Sequence, residues 1–172
     1  MDKPIGCQVN AAVGREGDYK LKPTDQPKRI VVIGAGPAGL EASRLLGQRG
    51  HQVILLEKEP FIGGQLMQAA IPPHKDRLKP LLDYYSQQLI QAKVDVRLNI
   101  AANRDAVLAL EPDVVLYAGG AKAVVPPIPG VDLPHVTTPM DVLYERVELG
   151  KSAVIVGGGL TGIEVAEFLD AQ

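Results

Sequence analysis

Two glycine turns and one acid carry the chemistry that this sequence makes legible, and that chemistry is the binding of nucleotide phosphates. Residues Arg29 to Leu40 read RIVVIGAGPAGL, and residues Ala153 to Gly162 read AVIVGGGLTG. In each, a short β-branched run enters a Gly-x-Gly-x-x-Gly turn and leaves as a helix. In the first copy, Gly34 allows the tight turn, Gly36 lets backbone approach a pyrophosphate, and Gly39 lets helix and strand pack closely. Ala35, Pro37 and Ala38 fill the turn, and Pro37 suits a first helical position, where a missing N–H costs nothing. The free N–H groups and the positive end of the helix dipole then face the phosphates. Glu57 ends the next apolar strand about 20 residues beyond Gly34, where a carboxylate accepts hydrogen bonds from a ribose. Gly157, Gly159 and Gly162 repeat the turn. A glycine-rich bend in an ordinary α/β domain would not need strand, turn, helix, strand and acid in register. Two such units in one polypeptide suggest two dinucleotides and electron transfer between them.

The elements that must position these residues follow from the apolar pattern. Strands are expected at Ile30 to Ile33, Val53 to Leu56, Val94 to Leu98, Asp113 to Tyr117 and Ser152 to Val156. The first helix starts near Pro37 and breaks at Gly50, with small Ser43 against the sheet. Residues 58–75 read as a long loop containing Gly63-Gly64-Gln65. A helix from about Asp76 to Ala92 is predicted with Leu78, Leu82, Tyr85 and Leu89 on one apolar face. Pro126, Pro127 and Pro129 make a stiff connector. Thr138-Pro139 with Asp141 marks a helix start, and Leu160 to Ala171 is the helix after the second turn. Alternating strands and helices predict an α/β, Rossmann-like three-layer fold on a parallel sheet with right-handed crossovers. The expected organisation is an extended arm over residues 1–27, a first nucleotide-binding unit over 28–130, and a connector with the start of a second unit over 131–172. The second unit's later strand and acid are not in the sequence, so it is expected to be incomplete at its C-terminus. Its strand and apolar helix are expected to be mobile or to dock on a neighbouring copy, because an unpaired edge seeks a partner.

Composition narrows the function classes. Lys plus Arg is 18 and Asp plus Glu is 20, for a net charge of −2. That balance makes no electrostatic case for nucleic acid, and aromatics at 4% leave few stacking platforms. No stretch approaches the ~18 apolar residues of a membrane span, and no secretory leader pattern is present. Cys7 is the single cysteine, which precludes an internal disulfide framework and suggests a cytoplasmic setting. His51, His74 and His135 stand among turns with no paired acid or thiol beside them in sequence. No nucleophile–base pair is evident, so the protein's part is to bind and orient cofactors that themselves do the chemistry.

The stretch from Arg29 to Gln65 resembles the FAD-binding half of the two-dinucleotide flavoproteins. GGQL at Gly63 to Leu66, then AAIPP, then a long amphipathic helix, resembles more narrowly the carboxy-terminal half of the NADH:flavin oxidoreductases. That group includes 2,4-dienoyl-CoA reductase, 2-enoate reductase and trimethylamine dehydrogenase. The arm agrees, since Cys7-Gln8-Val9-Asn10 followed by Gly14-Arg15-Glu16 resembles the end of their iron–sulfur region, with Ala11 where the family often has proline.

This resemblance implies a longer parent protein: an FMN-bearing barrel, a [4Fe–4S] cluster, and this FAD and NAD(P)H module. Electrons would pass from NAD(P)H through FAD, cluster and FMN to an enoate or enoyl-CoA substrate. It implies that Gly34 to Gly39 form the FAD pyrophosphate turn and Glu57 the ribose acid, with Lys58 able to reach an adenosine oxygen. Gly64 and Gln65 would run along the flavin nucleotide. Ala102 would lie beside adenine, where the family usually has valine. Ala118, Gly119 and Gly120 match the family's "ATG" turn against FAD, with Gly119 in place of threonine. Gly157, Gly159 and Gly162 would form the NAD(P)H turn. Cys7 would be the last of four cluster ligands, although one cysteine alone holds no cluster. Two other readings stand beside this one: an ADP- or FAD-binding module without hydride chemistry, as in trimethylamine dehydrogenase-like proteins, against which the intact second turn weighs, and an electron donor like the glutamate synthase small subunit, against which the Cys7-Gln8-Val9-Asn10 arm argues. The first turn and Glu57 serve ADP and FAD equally. The redox cysteine pair of disulfide reductases is missing, since Gln65-Leu66-Met67 follows Gly64.

Overall fold

A computed structural model describes residues 5–7, 9, 10 and 12–172. Four parallel strands form one sheet: β1 (Arg29–Ile33), β2 (Gln52–Leu56), β3 (Asp95–Arg97) and β4 (Val114–Tyr117), in the order β3-β2-β1-β4. Ile30 pairs with Val53 on one side and Val114 on the other, so β1 sits inside the sheet. The helices are α1 (Pro37–Gln48), α2 (Gln65–Ala69), α3 (Lys79–Gln91), α4 (Arg104–Leu108), α5 (Pro139–Leu143) and α6 (Leu160–Asp170). The Rossmann-like α/β fold expected from the pattern is therefore present.

Period-2 alternation decides which residues face which layer. Ile30, Val32, Val53 and Leu55 point to the face covered by α1 and α3, where they meet Leu40, Leu81, Tyr85 and Leu89. Val31 and Leu56 point the other way, onto Val107 of α4. Ser43, a residue of α1, is fully buried, and its small side chain lets that helix lie low on the sheet. At Gly47 an added Cβ would stand 2.6 Å from the Ala92 carbonyl oxygen and 2.9 Å from its Cβ. The end of α1 is therefore pressed against the end of α3.

Several boundaries move from their expected places. The long helix begins as a 3-10 turn, Asp76–Leu78, and becomes α-helical at Lys79 with Pro80 in its first turn. That entry puts Leu81 in the core beside Tyr85 and Leu89, while Leu78 and Leu82 are only half-buried. The loop over 58–75 contains the short helix α2. Helix α4 was not expected; the Asn103 side chain caps it, accepting from the Ala106 N–H at 2.9 Å. Thr138 caps α5 as the sequence implied, and its Oγ1 donates to Asp141 Oδ2 at 2.7 Å.

The strand expected at Ser152 to Val156 is not formed. That run makes no ladder among the described residues, and Val154 and Val156 are 92% and 80% exposed. A β-branched run reads as a strand but becomes one only when another strand lies beside it. The helix that follows does find a place within the chain: Val165 of α6 packs with Val142 and Leu143 of α5, with Ile71 and Phe168 at the margin.

Tyr85 supplies a pH signature of the core. Burial, with the negative charge of Glu41 nearby, pushes its hydroxyl up from 10.0 to about 12. The folded state thus favours the protonated phenol. Stability is expected to hold below pH 10 and fall as pH rises from 10 through about 12. Urea unfolding of the wild type against Tyr85→Phe across that range checks this, since the variant must lose the slope.

Candidate functional site

The first turn is built from the C-terminal ends of β1, β2 and β4. Gly34 takes φ +101°, and its N–H donates to the Leu56 carbonyl at 2.8 Å. The Ala118 N–H donates to the Ile33 carbonyl at 2.8 Å, bringing β4's end alongside. A Cβ at Gly34 would overlap the Ala118 carbonyl, and one at Gly39 would overlap the Gly34 carbonyl. Those two glycines are therefore required by space. Gly36 is different: nothing lies within 4 Å of where its Cβ would be. The turn is open there, over the N-terminus of α1, which leaves room for a phosphate group. Gly36 caps α1 with φ −74° and ψ 178°, and the Leu40 N–H donates to its carbonyl at 2.9 Å. The helix's first N–H groups have no intrahelical acceptor and stand toward that open space.

Glu57 anchors the turn from beneath. It is 6% exposed. Its Oε2 accepts the Ala35 N–H at 2.6 Å, and its Oε1 accepts the Glu59 N–H at 3.0 Å. A carboxylate has about four lone-pair sites, so about two are left without a donor from these bonds. Neighbouring Lys58 is solvated and pairs with Glu59 at 3.5 Å. Ala102 stands on the same side, half-buried against the cluster of Val31, Leu56 and Val107 that carries the β1 and β2 ends.

The Gly63-Gly64-Gln65 loop closes over the turn's other side. The Gly63 N–H donates to the Ala35 carbonyl at 2.8 Å. Gly64, at φ +52°, comes so near that its Cβ would lie 3.0 Å from the Gly36 Cα. The Gln65 amide donates to the Ala121 carbonyl at 2.7 Å, just beyond Gly119 and Gly120. Gly34 to Gly39, Glu57, Gly64, Gln65 and Ala118 to Gly120 thus converge on one end of the sheet. Tyr117, read from the sequence only as the end of a strand, places its ring beside Gly119, so that a Cβ there would meet it.

The second turn repeats the first in its angles. Gly157 has φ +118° against +101° at Gly34. Gly159 caps α6 with φ −76° and ψ 178° against −74° and 178° at Gly36. A Cβ at Gly162 would overlap the Gly157 carbonyl, as at Gly39 and Gly34. Cys7 lies apart from both turns, exposed on the arm. The Asn10 N–H reaches its Sγ at 3.4 Å. Hydrogen bonds from the backbone of Asn10 and then Val9 hold the thiol below its ordinary value. Gln8 and Ala11 of the same stretch lie outside the described residues. Among the described residues no three metal-ligating side chains come together, and no helix is long and apolar enough to cross a membrane.

Two substitutions test this geometry. Glu57→Ala leaves the buried Ala35 N–H and the half-buried Glu59 N–H without acceptors, so urea unfolding is expected to lose about 2–3 kcal/mol, with Glu57→Gln losing roughly half of that. Gly39→Ala is expected to cost at least about 3 kcal/mol through backbone overlap, where an unhindered helix position would gain about 0.5–1 kcal/mol.

Residues 28–171 match the pyridine nucleotide-disulphide oxidoreductase family. The chain is 42% identical over 168 residues to bilirubin reductase of Mediterraneibacter gnavus, covering 97% of this chain and 26% of that protein. It is 38% identical to cinnamate reductase of Clostridium sporogenes, covering 98% of this chain and 25% of the relative. The solved structure of a 2-naphthoyl-CoA reductase in complex with 2-naphthoyl-CoA superposes with a TM-score of 0.92 at 36% identity, covering 96% of this chain and 26% of that one. The chain spans about a quarter of the length of the curated relatives it matches. These similarities bear out the resemblance to the FAD- and NAD(P)H-binding module of the NADH:flavin oxidoreductases. The chain belongs to the pyridine nucleotide-disulphide oxidoreductase family.

Proposed function

We propose that this chain is the FAD- and NAD(P)H-binding module of a flavin-dependent reductase, and that the duplicated turn is the observation that carries this reading. In this reading residues 28–130 hold FAD, residues 131–172 begin the NAD(P)H unit, and residues 1–27 lead from an iron–sulfur region. The pyrophosphate lies over Gly34, Ala35, Gly36, Pro37, Ala38 and Gly39, where the α1 N–H groups offset its charge. Glu57 accepts from the ribose with the lone pairs its backbone donors leave free, and Lys58 is free to swing toward the adenosine. Small Ala102 leaves space for adenine. Gly64, Gln65 and the Ala118-Gly119-Gly120 turn line the flavin side. Gly157, Gly159 and Gly162 receive the second nucleotide. The open space at Gly36 and the spare acceptor capacity of Glu57 support the fit.

When bound, FAD supplies a hydride acceptor that can release electrons singly. This chain's residues would bind and orient it. With Cys7 as the only cysteine, no dithiol step occurs within these residues. Cys7 suits a cluster ligand in the parent protein, because N–H donors stabilise a thiolate. Three further thiolates and an FMN barrel would come from elsewhere in that protein. Bilirubin reductase, cinnamate reductase and 2-naphthoyl-CoA reductase are all named for reductions of conjugated substrates. They favour an enoate or enoyl-CoA-type substrate, and the single cysteine favours a reducing, cytoplasmic setting.

Mass spectrometry of the nucleotide released from the purified, denatured chain tests the reading. FAD is the expected result, with Glu57→Ala retaining at least about tenfold less, from the loss of about 1.4 kcal/mol or more of binding. Release of ADP or AMP alone would favour the module that binds adenosine without hydride chemistry. A folded chain that takes up neither FAD nor ADP would overturn the assignment of the first turn.

A further inference from the structure

We propose that residues 64–75 form a strap between the two glycine turns, with the Lys75–Glu164 ion pair as its clasp, making both positioning residues for the second turn. One end of the segment is fixed to the first turn. Gly64 presses on Gly36, the Gly63 N–H is held by Ala35, and Gln65 is tied to Ala121. The other end is fixed to the second unit. Ile71 packs into the Val142, Leu143 and Val165 cluster. Pro72 and Pro73 stiffen the next step, His74 turns the chain at φ +63°, and the Lys75 N–H donates to the Pro72 carbonyl at 3.3 Å. That turn presents Lys75 Nζ to Glu164 Oε1 at 2.7 Å.

The internal repeat shows why Glu164 stands out. Glu164 comes two residues after Gly162, as Glu41 comes two residues after Gly39. Glu41 spends its carboxylate inside its own helix, on a two-pronged pair with Arg44 at 2.7 and 2.9 Å. Helix α6 contains no Lys, Arg or His, so Glu164 draws its partner from the first unit instead. The strand expected to hold the second turn has no ladder among the described residues, so α6 is held by the apolar cluster, by this pair near its start and by a Gln172–Glu145 hydrogen bond of 3.3 Å just past its end. Both partners are partly solvated, with side chains 41% and 31% exposed, so salt screens the clasp. The two-nucleotide reading gives the strap its purpose, but its existence is testable with no nucleotide present.

Hydrogen–deuterium exchange on the 172-residue chain decides it. Without nucleotide, Lys75→Met is expected to speed exchange of α6 about 2- to 5-fold, the range for an exposed pair, and to leave α1 unchanged. Lys75→Arg should retain the protection, and the charge swap Lys75→Glu with Glu164→Lys should restore it. About 1 M salt, with a screening length near 3 Å, should reproduce Lys75→Met in the wild type. Unchanged α6 exchange in Lys75→Met, or equal acceleration of α1 and α6, would overturn the strap. Added FAD should slow α6 in the wild type and less so in Lys75→Met. If FAD binds and slows α1 alone, the strap does not link the turns and the proposal fails. If FAD does not bind at all, the proposed function fails, and the nucleotide-free arm still decides the strap.

Discussion

The contact of Gly39 with the Gly34 carbonyl is the constraint on which the rest of this structure depends. It sets how low α1 lies on the sheet, and so where the helix's free N–H groups open. Buried Ser43 and the Gly47–Ala92 contact continue the same close fit along α1. Glu57 then ties the floor of the turn to β2 through Ala35. Side chains larger than these would lift the helix and move the open space at Gly36 away from the carboxylate. The geometry is one of exclusion: small residues bring backbone donors where side chains would otherwise stand.

A division of labour follows between backbone and side chains. The turn offers N–H groups that carry no side-chain entropy and cannot titrate. The buried carboxylate of Glu57 is half spent on holding the turn, so the acid that would meet a ribose is already aimed by its own structural bonds. This is pre-organisation in the ordinary thermodynamic sense, since the ordering cost is met on folding and not on binding.

What could be read in the sequence was local. Turn glycines, the acid at the strand end and the Thr138 cap are each specified within a few residues, and the structure places them as expected. The register of α3 was not legible, because a 3-10 entry at Asp76 rotates the apolar face toward Leu81. Helix α4 had a visible signal in Asn103, an N-cap residue type, but its five residues carry too little periodicity to stand out. The run at Ser152 to Val156 shows the opposite failure: its composition reads as strand, yet pairing is a property of two segments. The Lys75–Glu164 pair joins residues far apart in sequence, and no short-range pattern announces it.

The second turn has a consequence for how such a site assembles. It holds the same angles as the first although its leading run has no ladder beside it. Its shape is therefore encoded within about six residues, with only a short loop to close and little entropy to overcome. A turn of this kind needs no paired strand to hold its angles. It can take form early on the folding path, and the slower, long-range strand pairing then has a finished part to build around.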